Sequence, residues 1–147
     1  MEMRVAIDTN ILLDVLLENR PHKTEAEQIL SAASKGLFQV QISTQSLIDA
    51  SYIAKKHGVD FASFSKSVNH LRAYLKISAI DWIDLSWALT NHSGDFEDDA
   101  QYANAYNSVC DMFITRNKRL TEFNDDPLCP MTVISPEDFV AAMMAED

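Results

Sequence analysis

At 147 residues, with 47% hydrophobic and 23% charged content, the chain suits one domain with a sizeable core and is too apolar to be disordered. Lysine plus arginine total 12 against 22 aspartates plus glutamates; the net charge of −10 repels a polyanion at long range and favours a basic partner or a metal-filled acidic pocket. No apolar run reaches membrane-spanning length, the first residues open a strand rather than a signal peptide, and Cys110 and Cys129 are too few for a disulfide framework, which together predict a cytoplasmic protein with reduced thiols.

The first apolar run, Met3-Arg4-Val5-Ala6-Ile7, stops on Asp8-Thr9-Asn10 and gives way to Ile11-Leu12-Leu13-Asp14-Val15-Leu16-Leu17 at helical spacing, which reads as strand, site, helix. After Pro21, Thr24-Glu25-Ala26-Glu27 predicts a capping box opening a helix through Leu30, with Gly36 as its stop. Phe38-Gln39-Val40-Gln41-Ile42 alternates as a strand should; Ser43 or Thr44 caps a helix from Gln45 to Lys56, which Gly58 ends. Asp60 starts a longer helix whose Phe61, Phe64, Val68, Leu71 and Leu75 read as core. Ile77 to Trp82 is expected as a strand, Leu85 to Leu89 as a short helix and Gly94-Asp95 as a break. A helix from Phe96 to Val109 follows, then strands Met112–Thr115 and Met131–Ile134. Ser135-Pro136-Glu137-Asp138 combines an N-cap, a proline at the first helical position and acids in the first turn, so the chain closes on a helix. Without repeats or an internal linker, residues 1–147 are expected as one α/β domain with a mainly parallel sheet and helices on both faces.

In such a sheet ligands bind outside the carboxyl ends of the strands. Asp8 belongs there, as does Asp49, on the helix that follows the second strand, and Asp98, at the start of the helix after the third. Asp-Thr-Asn is also an ordinary helix cap, and acids at a helix start offset its dipole by about 0.3–1 kcal/mol each. Four acids in Asp95–Asp99 exceed what one helix end requires, and their repulsion calls for a cation. The fourth strand brings Thr115-Arg116-Asn117 to the same edge, whereas Asp111 precedes that strand and falls about 16 Å away, at the opposite edge. Three carboxylates from separate elements are hard oxygen ligands for Mg²⁺ or Mn²⁺, and a water polarised by such an ion can attack a phosphodiester in line. The four histidines lack ligand spacing for zinc. Arg116, Lys118 and Arg119 are either phosphate contacts or solvated loop charges. Lys55-Lys56 complements the dipole of its own helix and has no further role. Trp82 and Trp87 are core or interface residues with a minor alternative as stacking platforms.

These residues resemble the PIN domain nucleases over nearly the whole chain. The markers are Asp8-Thr9-Asn10 with Leu12-Leu13-Asp14, Ser46-Leu47-Ile48-Asp49, Phe96-Glu97-Asp98 with Gln101-Tyr102-Ala103, Cys110-Asp111 through Ile114-Thr115-Arg116-Asn117, and Ile134-Ser135-Pro136-Glu137-Asp138-Phe139. The resemblance implies a three-layer α/β/α sandwich and a Mg²⁺- or Mn²⁺-dependent ribonuclease, often the VapC-like toxin of a toxin–antitoxin pair. It implies Asp8, Asp49 and Asp98 as metal-binding acids, with Asp99 the register alternative to Asp98. Asn117 takes the fourth polar position, and Thr115 orients that group or a water. RNA is then the substrate, an antitoxin protein a partner, and a homodimer the assembly, with the helix from Phe61 to Leu75 offering an apolar face. Two positions depart from the pattern, which commonly has glutamate where Asp49 stands and often aspartate where Asn117 stands. They support a rival reading, a catalytically degenerate interaction or regulatory domain on the same fold. A phospho-acceptor receiver domain is disfavoured because Asp49 and Asp98 fall on helices.

Overall fold

The computed structural model describes residues 2–90 and 95–145. Five strands form one sheet in the order β3-β2-β1-β4-β5, every pairing parallel: β1 (Arg4–Ile7), β2 (Gln39–Ser43), β3 (Leu75–Ser78), β4 (Met112–Ile114) and β5 (Thr132–Ile134). Helices α1 (Thr9–Leu16) and α2 (Lys23–Ser34) link β1 to β2, α3 (Thr44–Lys56) and α4 (Phe61–Leu71) link β2 to β3, and α5 (Trp82–Thr90) and α6 (Phe96–Asn107) precede β4. A 3-10 helix over Lys118–Asp125 leads to β5, and α7 (Pro136–Ala145) follows it.

Strand alternation sorts the helices into two layers. Val5, Ile7, Val40, Ile42 and Ile114 face one core, shared with Ile11 and Leu12 of α1, Ile29 and Leu30 of α2, Ala50 and Ala54 of α3, Phe64 of α4 and Phe139 of α7. Ala6, Phe113 and Val133 face the other, built with Tyr102 and Ala105 of α6, Leu120 of the 3-10 helix, and the partly buried Trp87 of α5. The expected α/β/α sandwich is therefore present, with β1 in the middle of the sheet and Asp8 at its central carboxyl end. Among the described residues, no helix is long and apolar enough to cross a membrane. Cys110 and Cys129 are both buried and free.

Several local expectations are corrected. The third strand is Leu75–Ser78 rather than Ile77–Trp82, because Asp81 accepts from the N–H groups of Ile83 and Asp84 at 3.0 and 3.2 Å and so starts α5 at Trp82. Consequently α4 stops at Leu71, and Leu75 pairs with Val40 in the sheet. Phe61, in the first turn of α4, is 75% exposed and is not core. The Thr24 capping box does not form: α2 begins at Lys23, and the side chain of its N-cap residue, His22, makes no capping bond. Gly36 and Gly58 do end their helices, with φ of 78° and 84°, a region in which a side chain is strained. Helix α6 stops at Asn107, short of Val109, and a 3-10 helix follows β4 where the sequence predicts no element. The expected break at Gly94 lies outside the described residues.

Candidate functional site

Asp8 leaves β1 in extended backbone and turns its carboxylate over the first turn of α1, where Oδ1 accepts from the Ile11 N–H at 3.2 Å. Its other oxygen accepts from Thr115 Oγ1 at 2.5 Å. The cap and the candidate ligand are thus one carboxylate. It is 7% exposed, and burial pushes its pKa up, opposed by those hydrogen bonds and by the nearby Arg116 guanidinium.

Helix α3 starts at the carboxyl end of β2, so Asp49, in its second turn, faces the same edge. Its Oδ1 accepts from Gln45 Nε2 at 2.9 Å. Asp98 lies in the first turn of α6, where Asp95 caps the helix by accepting the Asp98 N–H at 3.1 Å. Burial and the charges of Asp95 and Asp8 push the Asp98 carboxyl up to about 6, against a stabilising bond donated by Asn117.

Asp8, Asp49 and Asp98 line one cavity of about 230 Å³, together with Asn10, Tyr52 and Glu97. Glu97 enters from the sequence only as one of four acids crowding the start of its helix, with no role of its own. Its pKa rises to about 7, first because its carboxyl hydrogen-bonds that of Asp49, with burial and the charges of Asp49, Asp98 and Asp95 adding. Two carboxyls share such a bond only while one is protonated. With both ionised, the buried Asp49 Oδ2 has no donor. The signal was present in the four-residue spacing of Glu97 and Gln101, whose Nε2 donates to Glu97 Oε1 at 3.4 Å and turns that side chain toward the cavity.

A single hydroxyl ties together the helices that carry the acids. Ser46 Oγ, on α3, accepts from Thr9 Oγ1 at 3.0 Å and from Ser43 Oγ at 3.2 Å, and donates to Gln101 Oε1 at 2.9 Å. Those three bonds exhaust its one donor and two acceptor positions. Thr9 follows Asp8, Ser46 precedes Asp49 by three residues, and Gln101 follows Asp98 by three. The triad of helices is registered at the level of its carboxylates.

The end of β4 anchors the same groups. Thr115 is 2% exposed; besides donating to Asp8, its Oγ1 accepts from the Asn117 N–H at 3.0 Å. Asn117 Nδ2 donates to Asp98 Oδ2, while its Oδ1 accepts from the Arg119 N–H at 3.0 Å and caps the 3-10 helix. With its oxygen engaged, Asn117 positions Asp98.

Other candidates lie elsewhere. Asp99 is fully buried and does not line the cavity. Asp111 accepts from the Arg4 N–H at 2.9 Å, at the amino edge of the sheet. Arg116 is not a free phosphate contact: its guanidinium bonds the 2%-exposed carboxylate of Asp14, which also pairs with Arg20 at 3.0 Å, and its Nε lies 3.5 Å from Glu137. Trp87 stacks inside the second core, with ring centroids 5.5 Å from both Tyr102 and Phe123. Trp82 is exposed. A larger cavity of about 880 Å³ lies at the opposite end of the helices, between Leu16–Pro21 and His57–Asp60, out of reach of these acids.

The donor set fits a hard divalent cation: every candidate ligand is a carboxylate oxygen, and one is buried without a donor. Among the described residues, His22, Glu25 and Glu137 are the group whose ligand atoms all lie within 4.8 Å of one another; the three aspartates are spaced more widely, which suits an ion that retains several waters. Glu137 already has the Arg116 cation beside it.

The fold has counterparts among solved structures. The VapC20 toxin of Mycobacterium tuberculosis, described as cleaving the sarcin-ricin loop, superposes with a TM-score of 0.65 at 11% identity, covering 80% of this chain and 94% of that one. A toxin–antitoxin complex from Klebsiella pneumoniae gives 0.63 at 23% identity over 90% and 97% of the two chains. VapBC2 of Rickettsia felis, bound to a DNA fragment from its promoter, gives 0.62 at 14% identity over 90% and 98%. The comparison with curated proteins finds no match. A PIN domain family profile matches residues 4–119, from the first strand through the Asn117 turn and across Asp8, Asp49, Glu97 and Asp98, and the chain belongs to the PIN domain family.

Proposed function

We propose that this chain is a metal-dependent endoribonuclease that hydrolyses RNA phosphodiester bonds. The observation that carries the reading is the convergence of Asp8, Asp49, Asp98 and Glu97 on one small cavity at the carboxyl edge of the sheet, with Asp49 Oδ2 buried and lacking a donor once Glu97 is ionised. Asp8, Asp49 and Asp98 would hold Mg²⁺ or Mn²⁺. When bound, the ion supplies Lewis acidity, making an attacking water more acidic and offsetting charge on the phosphate. The chain supplies the placement. Thr115 fixes one oxygen of Asp8, whose other oxygen caps α1 and would offer the ion its second lone pair, and Asn117 fixes one oxygen of Asp98 and leaves the other for the ion. No serine, cysteine or histidine is needed as nucleophile.

Kinship in fold with toxins and toxin–antitoxin complexes supports a toxin role, with a basic segment of an antitoxin as the partner that a chain of charge −10 favours. A cytoplasmic location and a homodimer belong to the same reading. The test is cleavage of a mixed, structured RNA pool by wild type and Asp8→Asn, with Mn²⁺ and with chelator, alongside Mn²⁺ calorimetry. Cleavage by wild type with metal alone, lost in Asp8→Asn with its fold retained, supports the assignment. Full activity in the variant refutes it. Absence of both cleavage and Mn²⁺ binding in wild type favours the degenerate scaffold, to which the uncharged Asn117 lends support.

A further inference from the structure

Tyr52 and Lys56 continue the acid cavity along α3. Tyr52 lies three residues beyond Asp49, lines the same cavity, and is 62% exposed. Lys56 lies four residues further, with Nζ 4.4 Å from the centre of the Tyr52 ring. Spacings of three and four keep all three side chains on one helix face, over about 10 Å of axis. The face therefore runs from a candidate metal ligand to an aromatic plane to a cation.

The ordinary roles of these residues do not account for the arrangement. Tyr52 belongs to neither core. Lys55, in the same last turn, serves the helix dipole as well as Lys56 does. Lys56 pairs with no carboxylate among the described residues, although acids outnumber bases 22 to 12. By contrast, Arg20 and Arg116 are held by Asp14, and Lys23 caps the carbonyls of Val15 and Leu17 while lying 3.6 Å from Glu27. A cation that no carboxylate neutralises, held over one face of an exposed ring that lines an acidic cavity, is complementary to a nucleotide: the base stacks on the other ring face and the phosphate meets the ammonium.

We propose that Tyr52 and Lys56 form a subsite for one nucleotide flanking the scissile bond; a base paired within a duplex has no free face to stack, so the subsite takes an unpaired nucleotide. The inference rests on the ribonuclease reading. Any base offers a π face, so the subsite selects strand state rather than sequence.

The experiment is steady-state cleavage of a single-stranded oligoribonucleotide and its duplex, with Mn²⁺, by wild type, Tyr52→Ala, Tyr52→Phe and Lys56→Ala. Fluorescence anisotropy of the same labelled single strand on Asp8→Asn and Asp8→Asn/Tyr52→Ala, and Mn²⁺ calorimetry of each variant, accompany it. Tyr52→Ala should raise KM about tenfold or more with kcat little changed, Tyr52→Phe should behave as wild type, and Mn²⁺ affinity should not move. Lys56→Ala should raise KM and lower the salt dependence of binding by about one phosphate contact. The duplex should be the poorer substrate. An unchanged KM in Tyr52→Ala, or equal cleavage of duplex and single strand, overturns the proposal. So does an unchanged KM with lost self-association, which would make the face a protein interface. Should wild type cleave neither RNA, it is the ribonuclease reading that fails, and anisotropy still decides the subsite: weaker binding by the double variant supports it, whereas equal or absent binding overturns it.

Discussion

Replacing Asp98 with asparagine should make the metal-free protein more stable, and only at neutral and alkaline pH. The Asp98 carboxyl is raised from 3.8 to about 6 by burial and by the charges of Asp95 and Asp8. A carboxyl raised in this way binds more protons in the folded chain than in the unfolded one, so stability falls as pH climbs from about 4 to about 7. At 1.36 kcal/mol per pKa unit the fully ionised group costs about 3 kcal/mol. Asp98 is only partly buried, and screening by water reduces the figure to about 1 kcal/mol, or about 3 °C in Tm for a chain of this size. Asparagine removes the charge and keeps an oxygen to accept the Asn117 Nδ2 bond. Thermal melts in chelator at pH 4 and pH 8 should therefore show the variant ahead by about 3 °C at pH 8 and nearly level at pH 4. Saturating Mn²⁺ should reverse the order at pH 8, because an ion at 100 times its Kd adds about 2.7 kcal/mol to the protein that binds it. A variant no more stable than wild type at pH 8 would refute the claim that an uncompensated carboxylate stands at this position.

Three further outcomes are expected. Glu97, raised to about 7 by its bond to Asp49, should give up a proton when metal binds near neutrality; calorimetry at pH 6.5 in buffers of differing ionisation enthalpy should detect the release in wild type and a smaller one in Glu97→Gln. Asp14→Ala should lose about 3–5 kcal/mol in urea unfolding, since it leaves the Arg116 and Arg20 guanidiniums without the buried carboxylate they share; a loss under about 1 kcal/mol would mean the pair contributes no more than a surface bridge. Asp111→Ala should leave Mn²⁺ affinity and cleavage unchanged and lose about 1 kcal/mol of stability with the Arg4 N–H bond; reduced metal affinity would move Asp111 to the site.

What the sequence made legible was local. Asp8 after an apolar run, Ser43 and Asp60 before helical spacing, and Ser135-Pro136 before Glu137 each announce an element through chemistry within four residues. Placing the acids at one edge then followed from parallel topology, because every helix after a strand begins there. Asp81 shows the limit: in Ile80-Asp81-Trp82-Ile83 the apolar run suits a strand equally, and only the cap bonds decide for a helix. Contacts made across the fold left no local trace. Arg116 meets Asp14 across 102 residues, so a side chain that reads as a loop charge proves to be committed. Whether Glu97 or Asp99 turns toward Asp49 depends on the rotation of α6 about its axis. That rotation goes with burial of Tyr102 and Ala105 in the core shared with Ala6 of β1 and Phe113 of β4, residues that lie beyond the run of acids.

The spacer that sets the acids apart carries no charge. Ser46 links α1, α3 and α6 through hydroxyl and amide groups that do not ionise across the working range of pH, whereas the carboxylates it registers repel one another to a degree that varies with protons, salt and ions. The gap between the carboxylates is thereby uncoupled from their electrostatic state. An ion bound there, as proposed, would meet carboxylates whose helices are already tied together and would relieve their repulsion without first ordering three helices. Charge can thus be switched on and off at this edge while the scaffold beneath it stays still.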